Sequence, residues 1–268
     1  MPSNARPLAL VTGASGGIGA DLARELARDG HDLVLTARSV PALESLAEEL
    51  RGQGANVTVL PSDLAASGAA DALMRSVEER GLSIDVLVNN AGFGDARPFV
   101  ACEAAKLSGM IQLNVVALTE LTRLFVRGMI ERGRGKILLV ASTAAYQPDP
   151  GMAVYGATKA YVLSLGEALA CELSGTGVTV TTLCPGPVHT GFAAAAQAEG
   201  NFIFARGLVP VMRPDRVAAL GYRALKKGRR DAIPGLGNKI GAWAGAHAPR
   251  WIVLPIARML MAGREQNP

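Results

Sequence analysis

Aromatic residues are scarce in this sequence. They make up 4% of 268 residues, so the interior has to be filled by Ala, Val, Leu and Ile, and no aromatic pattern is available for stacking on bases. Cysteine is rarer still: Cys102, Cys171 and Cys184 have no metal-like spacing, and an odd number cannot all pair within one chain. Free thiols in a reducing compartment follow, and a cytoplasmic location is expected. His, Cys and Asp nowhere form a spaced set, so no metal is implied. No basic-then-apolar leader opens the chain and no apolar run approaches the roughly 20 residues of a spanning helix, so a soluble protein is expected. Acidic residues fall short of basic ones, 23 against 27, but much of the excess is local. Lys226, Lys227, Arg229, Arg230, Lys239, Arg250, Arg258 and Arg264 lie in the C-terminal part without a groove-reading motif, which argues against a nucleic-acid partner. No Pro/Gly/Ser-rich linker divides the chain, and one large domain over 1–268 is the expectation.

What is present is an alternation. Apolar runs of strand length occur at 8–11, 33–35, 57–60, 86–88, 137–140 and 178–183, with a seventh short candidate at 231–233. Between them, helical spacing marks 18–28, 40–50, 69–80, a long stretch ending near Glu131, and 154–173. Parallel strands need crossovers and crossovers are right-handed, so repeated βα units predict an α/β fold: a doubly wound parallel sheet of about seven strands with helices on both faces.

The first run leads into Thr12-Gly13-Ala14-Ser15-Gly16-Gly17-Ile18-Gly19 and then an amphipathic helix, the context of a dinucleotide-binding turn. Glycines let the backbone approach a pyrophosphate, and the helix that follows offers unpaired N–H groups and the positive end of its dipole. Without that context the same residues would be only a glycine-rich turn. The second run ends in Thr36-Ala37-Arg38-Ser39, with no acid to bind free ribose hydroxyls. Arg38 can pair with a 2′-phosphate, so NADPH/NADP+ is favoured over NADH unless Arg38 is simply solvated. Ser62-Asp63-Leu64 follows the third run, where Asp63 either accepts from an adenine amino group or caps the next helix. Asn89-Asn90-Ala91-Gly92 follows the fourth, again at a strand end where ligands bind.

Ser142 follows the fifth run, and 13 residues later Tyr155-Gly156-Ala157-Thr158-Lys159 opens an apolar helix. The i, i+4 spacing puts Tyr155 and Lys159 on one face, about 5 to 6 Å apart at Cβ. An ammonium there is expected to lower the phenol below its unperturbed pKa of about 10, so that it can exchange a proton with a substrate oxygen. Ser142 could hydrogen-bond the same oxygen. Taken singly, these residues read as a half-buried aromatic, a solvated cation and a turn cap.

Gly13, Gly17 and Gly19, the Asn89-Asn90-Ala91-Gly92 segment, Asn114, Ser142, Tyr155 with Lys159, and Pro185-Gly186 occur in an order that resembles the classical short-chain dehydrogenase/reductase family, over 8 to about 233. The resemblance implies Tyr155 as general acid/base, Ser142 as the group orienting the carbonyl, Lys159 as a further ligand of the nicotinamide ribose, and Asn114 in a proton relay. It also implies cofactor contacts from Ser15, Ile18, Leu64, Pro185, Gly186, Val188 and Thr190. A ketone or aldehyde reductase, reversibly oxidising the alcohol, is expected; a non-catalytic NADP(H) sensor or scaffold is the alternative. Asn114 taken alone reads as a core or kink residue, and His189 as structural or solvent-facing.

Substrate choice is expected from a lid at 190–212, where Phe192, Phe202, Phe204, Leu208 and Met212 favour an apolar small-molecule carbonyl or alcohol. The extension at 235–268 mixes Trp243, Trp251 and aliphatic residues with Lys239, Arg250, Arg258 and Arg264. It fits either a helix packed on this chain or a partner, or an amphipathic segment in a membrane interface. The helix at 154–173 is apolar beyond one face, and the resemblance implies that such helices pair in a homodimer or homotetramer.

Overall fold

A parallel strand buried on both faces reads as an unbroken apolar run. All the apolar runs above become strands of one sheet in the computed structural model, which describes residues 6–192, 196 and 211–261. The strands are β1 (Leu8–Thr12), β2 (Asp32–Thr36), β3 (Val57–Val59), β4 (Val86–Asn89), β5 (Gly135–Val140), β6 (Val178–Leu183) and β7 (Asp231–Ala232). Every pairing is parallel, in the order β3-β2-β1-β4-β5-β6-β7. The chain begins at the centre, winds out to β3 and then returns to place β4 beside β1, which makes that neighbour pair the switch point where a crevice opens.

Alternate residues of each strand serve opposite layers. Ala9 and Val11 of β1 and Leu138 and Val140 of β5 face one core cluster, while Leu10, Ile137 and Leu139 face the other. The first layer holds α1 (Gly17–Arg28) and α2 (Val40–Gly52), together with a later helix at Pro214–Lys226. The second holds α3 (Ala69–Glu78) and the long helical run that leads into β5. That run comprises α4 (Ala104–Ile111), a π-helical turn (Gln112–Ala117) and α5 (Leu118–Glu131). At 28 residues it is long and apolar enough by composition to cross a bilayer, a length that the apolar runs did not reveal. Leu118, Leu121, Phe125, Val126 and Met129 of α5 are nevertheless buried in the second core cluster.

After β5 come a short 3-10 turn (Thr143–Tyr146) and α6 (Ala153–Glu172), whose Gly166 comes so close to β6 that a Cβ would fall 2.0 Å from Thr182 Oγ1. The helix at Pro214–Lys226, α7, precedes β7; α8 (Leu236–His247) and α9 (Arg250–Met261) complete the fold. Phe192 and Met212 of the lid reading belong to the described structure; Phe202, Phe204 and Leu208, and Arg264 of the extension, lie outside the described residues. Val188 and Met212 form an isolated parallel bridge.

Candidate active site

Because all strands run one way, their C-terminal ends form a single rim, and the motifs read from the sequence lie along it. Gly13 and Gly17 have φ of 66° and 55°, a region costly for any residue with a Cβ. Gly19 is needed for a different reason. A Cβ there would lie 2.3 Å from the Gly13 carbonyl oxygen, so Gly19 permits the close helix–strand contact and does not itself face the cavity. The turn is clamped from β4. Thr12 Oγ1 accepts from the N–H groups of Asn90 and Ala91, both at 3.0 Å, and Asn90 Nδ2 donates to the carbonyls of Thr12 and Gly13 at 3.0 and 3.2 Å. No side chain caps α1, which leaves its first N–H groups open to an anion.

The crevice is a cavity of about 1030 Å³. Ser15, Gly17 and Ile18 line its floor, and Arg38, Asp63 and Leu64 line the end beside β2 and β3. Arg38 is exposed, and no acid stands beside it at the end of β2. Asp63 Oδ1 accepts from Ala65 N at 3.1 Å, so its carboxylate braces a tight turn and does not cap α3, which begins only at Ala69. Ala91, Gly92, Pro185, Gly186, Val188 and Thr190 line the middle of the cavity. His189 is exposed and stands outside it.

Ser142, Tyr155 and Lys159 meet on the same cavity wall. Ser142 arrives from the end of β5, its Oγ accepting from Ala144 N at 3.1 Å. Lys159 Nζ donates to the Val140 carbonyl at 2.8 Å and lies 5.7 Å from the centroid of the Tyr155 ring. The expected lowering of the phenol's pKa is not what this geometry produces. Burial pushes Tyr155 up to about 12, with the hydrogen bond to Ser142 pulling the other way, and burial likewise brings Lys159 down to about 8. Desolvation is the largest influence on each group, and the ammonium is engaged by the Val140 carbonyl.

Asn114 is fully buried in the π turn, a feature often found at functional sites. Its Oδ1 accepts from Phe93 N at 3.1 Å, and its Nδ2 donates to Phe93 O at 2.9 Å and to Thr158 Oγ1 at 3.1 Å. It therefore fixes the strand-end segment 92–93 against α6. Gly92 has to stay small there, since a Cβ would meet Asn114 Oδ1 at 3.0 Å and Lys159 Nζ at 3.4 Å.

The far end of the cavity holds residues that sequence reasoning missed. Gln147, Asp149 and Met152 come from the loop before α6; beside them Phe192, named in the lid reading, tilts against Tyr155 at 5.2 Å between ring centroids. Asp149 is nine-tenths buried, its only hydrogen-bonding side-chain neighbour among the described residues Gln147 at 3.4 Å, and burial raises its carboxyl to about 6. The other wall comes from the C-terminal extension: Gly237, Gly241, Ala244, Gly245 and Ala248 of α8 and its C-terminal end, then Ile252, Val253, Ile256 and Ala257 of α9. Small residues at spacings of three and four were the one available signal. They let α8 press so close that a Cβ at Gly245 would fall 2.4 Å from Gln147 Oε1, while Asn238 does the same against Gly186.

A doubly wound parallel sheet with an open glycine turn at its switch point, and a serine, tyrosine and lysine gathered beside it, defines a nucleotide-dependent oxidoreductase class. The family model of short chain dehydrogenases matches residues 7–201. The chain belongs to that family, the NAD(P)-dependent short-chain dehydrogenases/reductases. It is 32% identical over 225 residues to the ketoacyl reductase HetN of Nostoc sp. (strain PCC 7120), covering 84% of this chain and 77% of that one. A short-chain dehydrogenase from Sphingobium yanoikuyae in complex with NADPH is 33% identical, with a TM-score of 0.78 and 98% of both chains covered. The bulky-bulky ketone specific alcohol dehydrogenase from Comamonas testosteroni is 30% identical, with a TM-score of 0.75, covering 98% of this chain and 96% of that one.

Proposed function

We propose that this protein is an NADPH-dependent reductase of an apolar ketone or aldehyde, reversibly oxidising the corresponding alcohol in the cytoplasm. The observation that carries the reading is that Ser142, Tyr155 and Lys159 face one continuous cavity with the glycine turn and Arg38. The residues present fit the cofactor: Gly13 and Gly17 leave the space a pyrophosphate needs, and Arg38 stands where a 2′-phosphate would pair with it. When bound, the nicotinamide supplies a hydride to the carbonyl carbon.

The chain's own residues handle the oxygen and the positions. Ser142 donates a hydrogen bond to the carbonyl oxygen, and Tyr155 gives it a proton as negative charge develops. A phenol raised to about 12 stays protonated throughout the neutral range, which suits the reductive direction. Lys159 holds the ribose and then renews the proton of Tyr155, while Asn114, in a positioning role, keeps the relay's backbone in place. Gln147 and Asp149 give the apolar end of the cavity its polar spot. A homodimer or homotetramer would use the outward side of α6, where Ala157, Tyr161 and Ala168 are exposed.

The test is NADPH and NADH oxidation against a panel of apolar ketones. Turnover with NADPH is expected to fall on the order of 10²- to 10⁴-fold in Tyr155→Phe. Preference should move toward NADH by roughly 10- to 100-fold in Arg38→Asp, the worth of a charge-assisted pair. Tight NADPH binding with no ketone or aldehyde turned over would replace the reductase with a sensor.

A further inference from the structure

The C-terminal helix pair has two faces, and only one is used by the cavity. On α8, Leu236, Ile240 and Trp243 follow an i, i+4, i+7 spacing and are exposed, Trp243 by 66%. On α9, Trp251 is 77% exposed and Leu254 and Met259 join it. Ile252 and Ile256 belong to both faces: they line the cavity and remain exposed, so the cavity's rim is continuous with the outer apolar surface. Trp243 and His247 stack at 5.2 Å, which presents a flat aromatic platform outward.

Charge says what covers this surface. From 232 to 264 the sequence has no Asp or Glu, while Lys239, Arg250, Arg258 and Arg264 are basic. Lys239, Arg250 and Arg258 are all exposed. A second copy seated on this face about a two-fold axis would set basic helices against basic helices. An anionic bilayer offers apolar depth for the aliphatic side chains, a headgroup layer for tryptophan, and negative charge for the bases.

We propose that α8 and α9 dock this protein on an anionic lipid surface, with the rim at Ile252 and Ile256 turned to the bilayer so that apolar substrate enters from the lipid. The docking stands on the helix faces alone; substrate entry rests on the reductase reading. Both tryptophans of the chain, Trp243 and Trp251, lie in this patch, so intrinsic fluorescence reports on it without labels.

The experiment uses the full-length protein with vesicles of phosphatidylcholine alone, or of phosphatidylcholine containing phosphatidylglycerol. Expected are a blue shift of tryptophan emission and co-flotation with the phosphatidylglycerol vesicles only, both weakened by added salt. Lys239→Gln with Arg258→Gln should weaken partitioning on the order of 25-fold, about fivefold per charge removed. Both variant sites lie outside the cavity lining, so turnover of a water-soluble ketone serves as the folding control, and Trp251→Glu provides a second disruption. No flotation on phosphatidylglycerol vesicles at low salt would overturn the proposal. So would an emission shift that follows protein concentration without lipid and vanishes in Trp251→Glu, which would assign the patch to a second copy. Docking that persists while no ketone is turned over would leave the lipid surface standing and remove only the reductase reading.

Discussion

The two ends of the cavity are built by different means. At the cofactor end, a Cβ would meet backbone and the amide clamped to it: one at Gly19 would run into the Gly13 carbonyl and the Asn90 amide, and one at Gly13 would come within 2.8 Å of that amide and 2.9 Å of Ala91 Cα. At the substrate end, side chains meet side chains. A Cβ at Gly94 would touch the tips of Phe192 and Met152, and one at Gly245 would touch the Gln147 amide. A wall of backbone cannot yield and so fixes one ligand shape, whereas a wall of side-chain ends can be reset by exchanging them. The first suits a cofactor of constant structure, the second a substrate that varies among relatives.

The sharpest break in that comparison comes from Gly19→Ala. The new methyl group would have only the Gly13 carbonyl and the Asn90 amide to displace, at 2.3 and 2.4 Å, and neither can move without opening the clamp on the turn. A cost of about 3 kcal/mol, the upper range for overpacking, is expected. It should show as a loss of NADPH affinity on the order of 100-fold by fluorescence titration, together with a lower melting temperature. Unchanged affinity would mean that the turn is as pliable as the substrate end.

Asp149→Asn tests the substrate end through stability. The folded protein holds the Asp149 proton more tightly than an unfolded chain does, with a pKa of about 6 against a reference of 3.8. Below the reference value both states are protonated and the carboxyl costs nothing. As pH rises from about 4 to about 6 the unfolded chain ionises first, and wild-type stability falls by about 2 kcal/mol relative to the asparagine variant. Urea melts at pH 4, 5 and 7 should therefore show the two proteins alike at pH 4 and the variant more stable at pH 7. Asp95 is held far below the usual carboxylate range by Arg97, and in contact with Lys106 it gives the opposite slope at lower pH. It is common to both proteins and cancels in the difference. Equal curves at every pH would show that Asp149 is solvated and takes no part in shaping the cavity.

The same division decides what the sequence could reveal. Strands, the glycine turn and the Tyr155–Lys159 pair are local patterns, and their boundaries in the structure lie within about two residues of the apolar runs. The π turn at Gln112–Ala117 has no local signature, because its reason is the distant grip of Asn114 on Phe93 and Thr158. The direction of the Tyr155 pKa could not be read from spacing either: i, i+4 fixes the face but not where the ammonium points, and burial decided the outcome. Asp149, between Pro148 and Pro150, reads as turn chemistry until the chain closes over it. The extension reads as amphipathic, and the spacing of its small residues is the one local sign that it roofs the cavity, whereas nothing local tells that α9 runs through Pro255.

Gly94→Ala refines the comparison where the effect is smallest. A methyl group there would lie 2.7 Å from Phe192 Cζ, 3.1 Å from Met152 Cε and 3.2 Å from Tyr155 Cδ2. Phe192 and Met152 both line the cavity, so displacing them into it narrows the substrate end. The expected result is a roughly tenfold lower kcat/KM for ketones with two bulky substituents and little change for those with one, the scale of a methylene-sized change in a pocket. Steady-state rates on matched ketone pairs measure it. A fall that is equal for both kinds would place the strain on Tyr155 itself, making Gly94 a support of the acid. No change for either would mean that Phe192 retreats outward, and that the width of the substrate end is set by α8 and α9 rather than by the segment following β4.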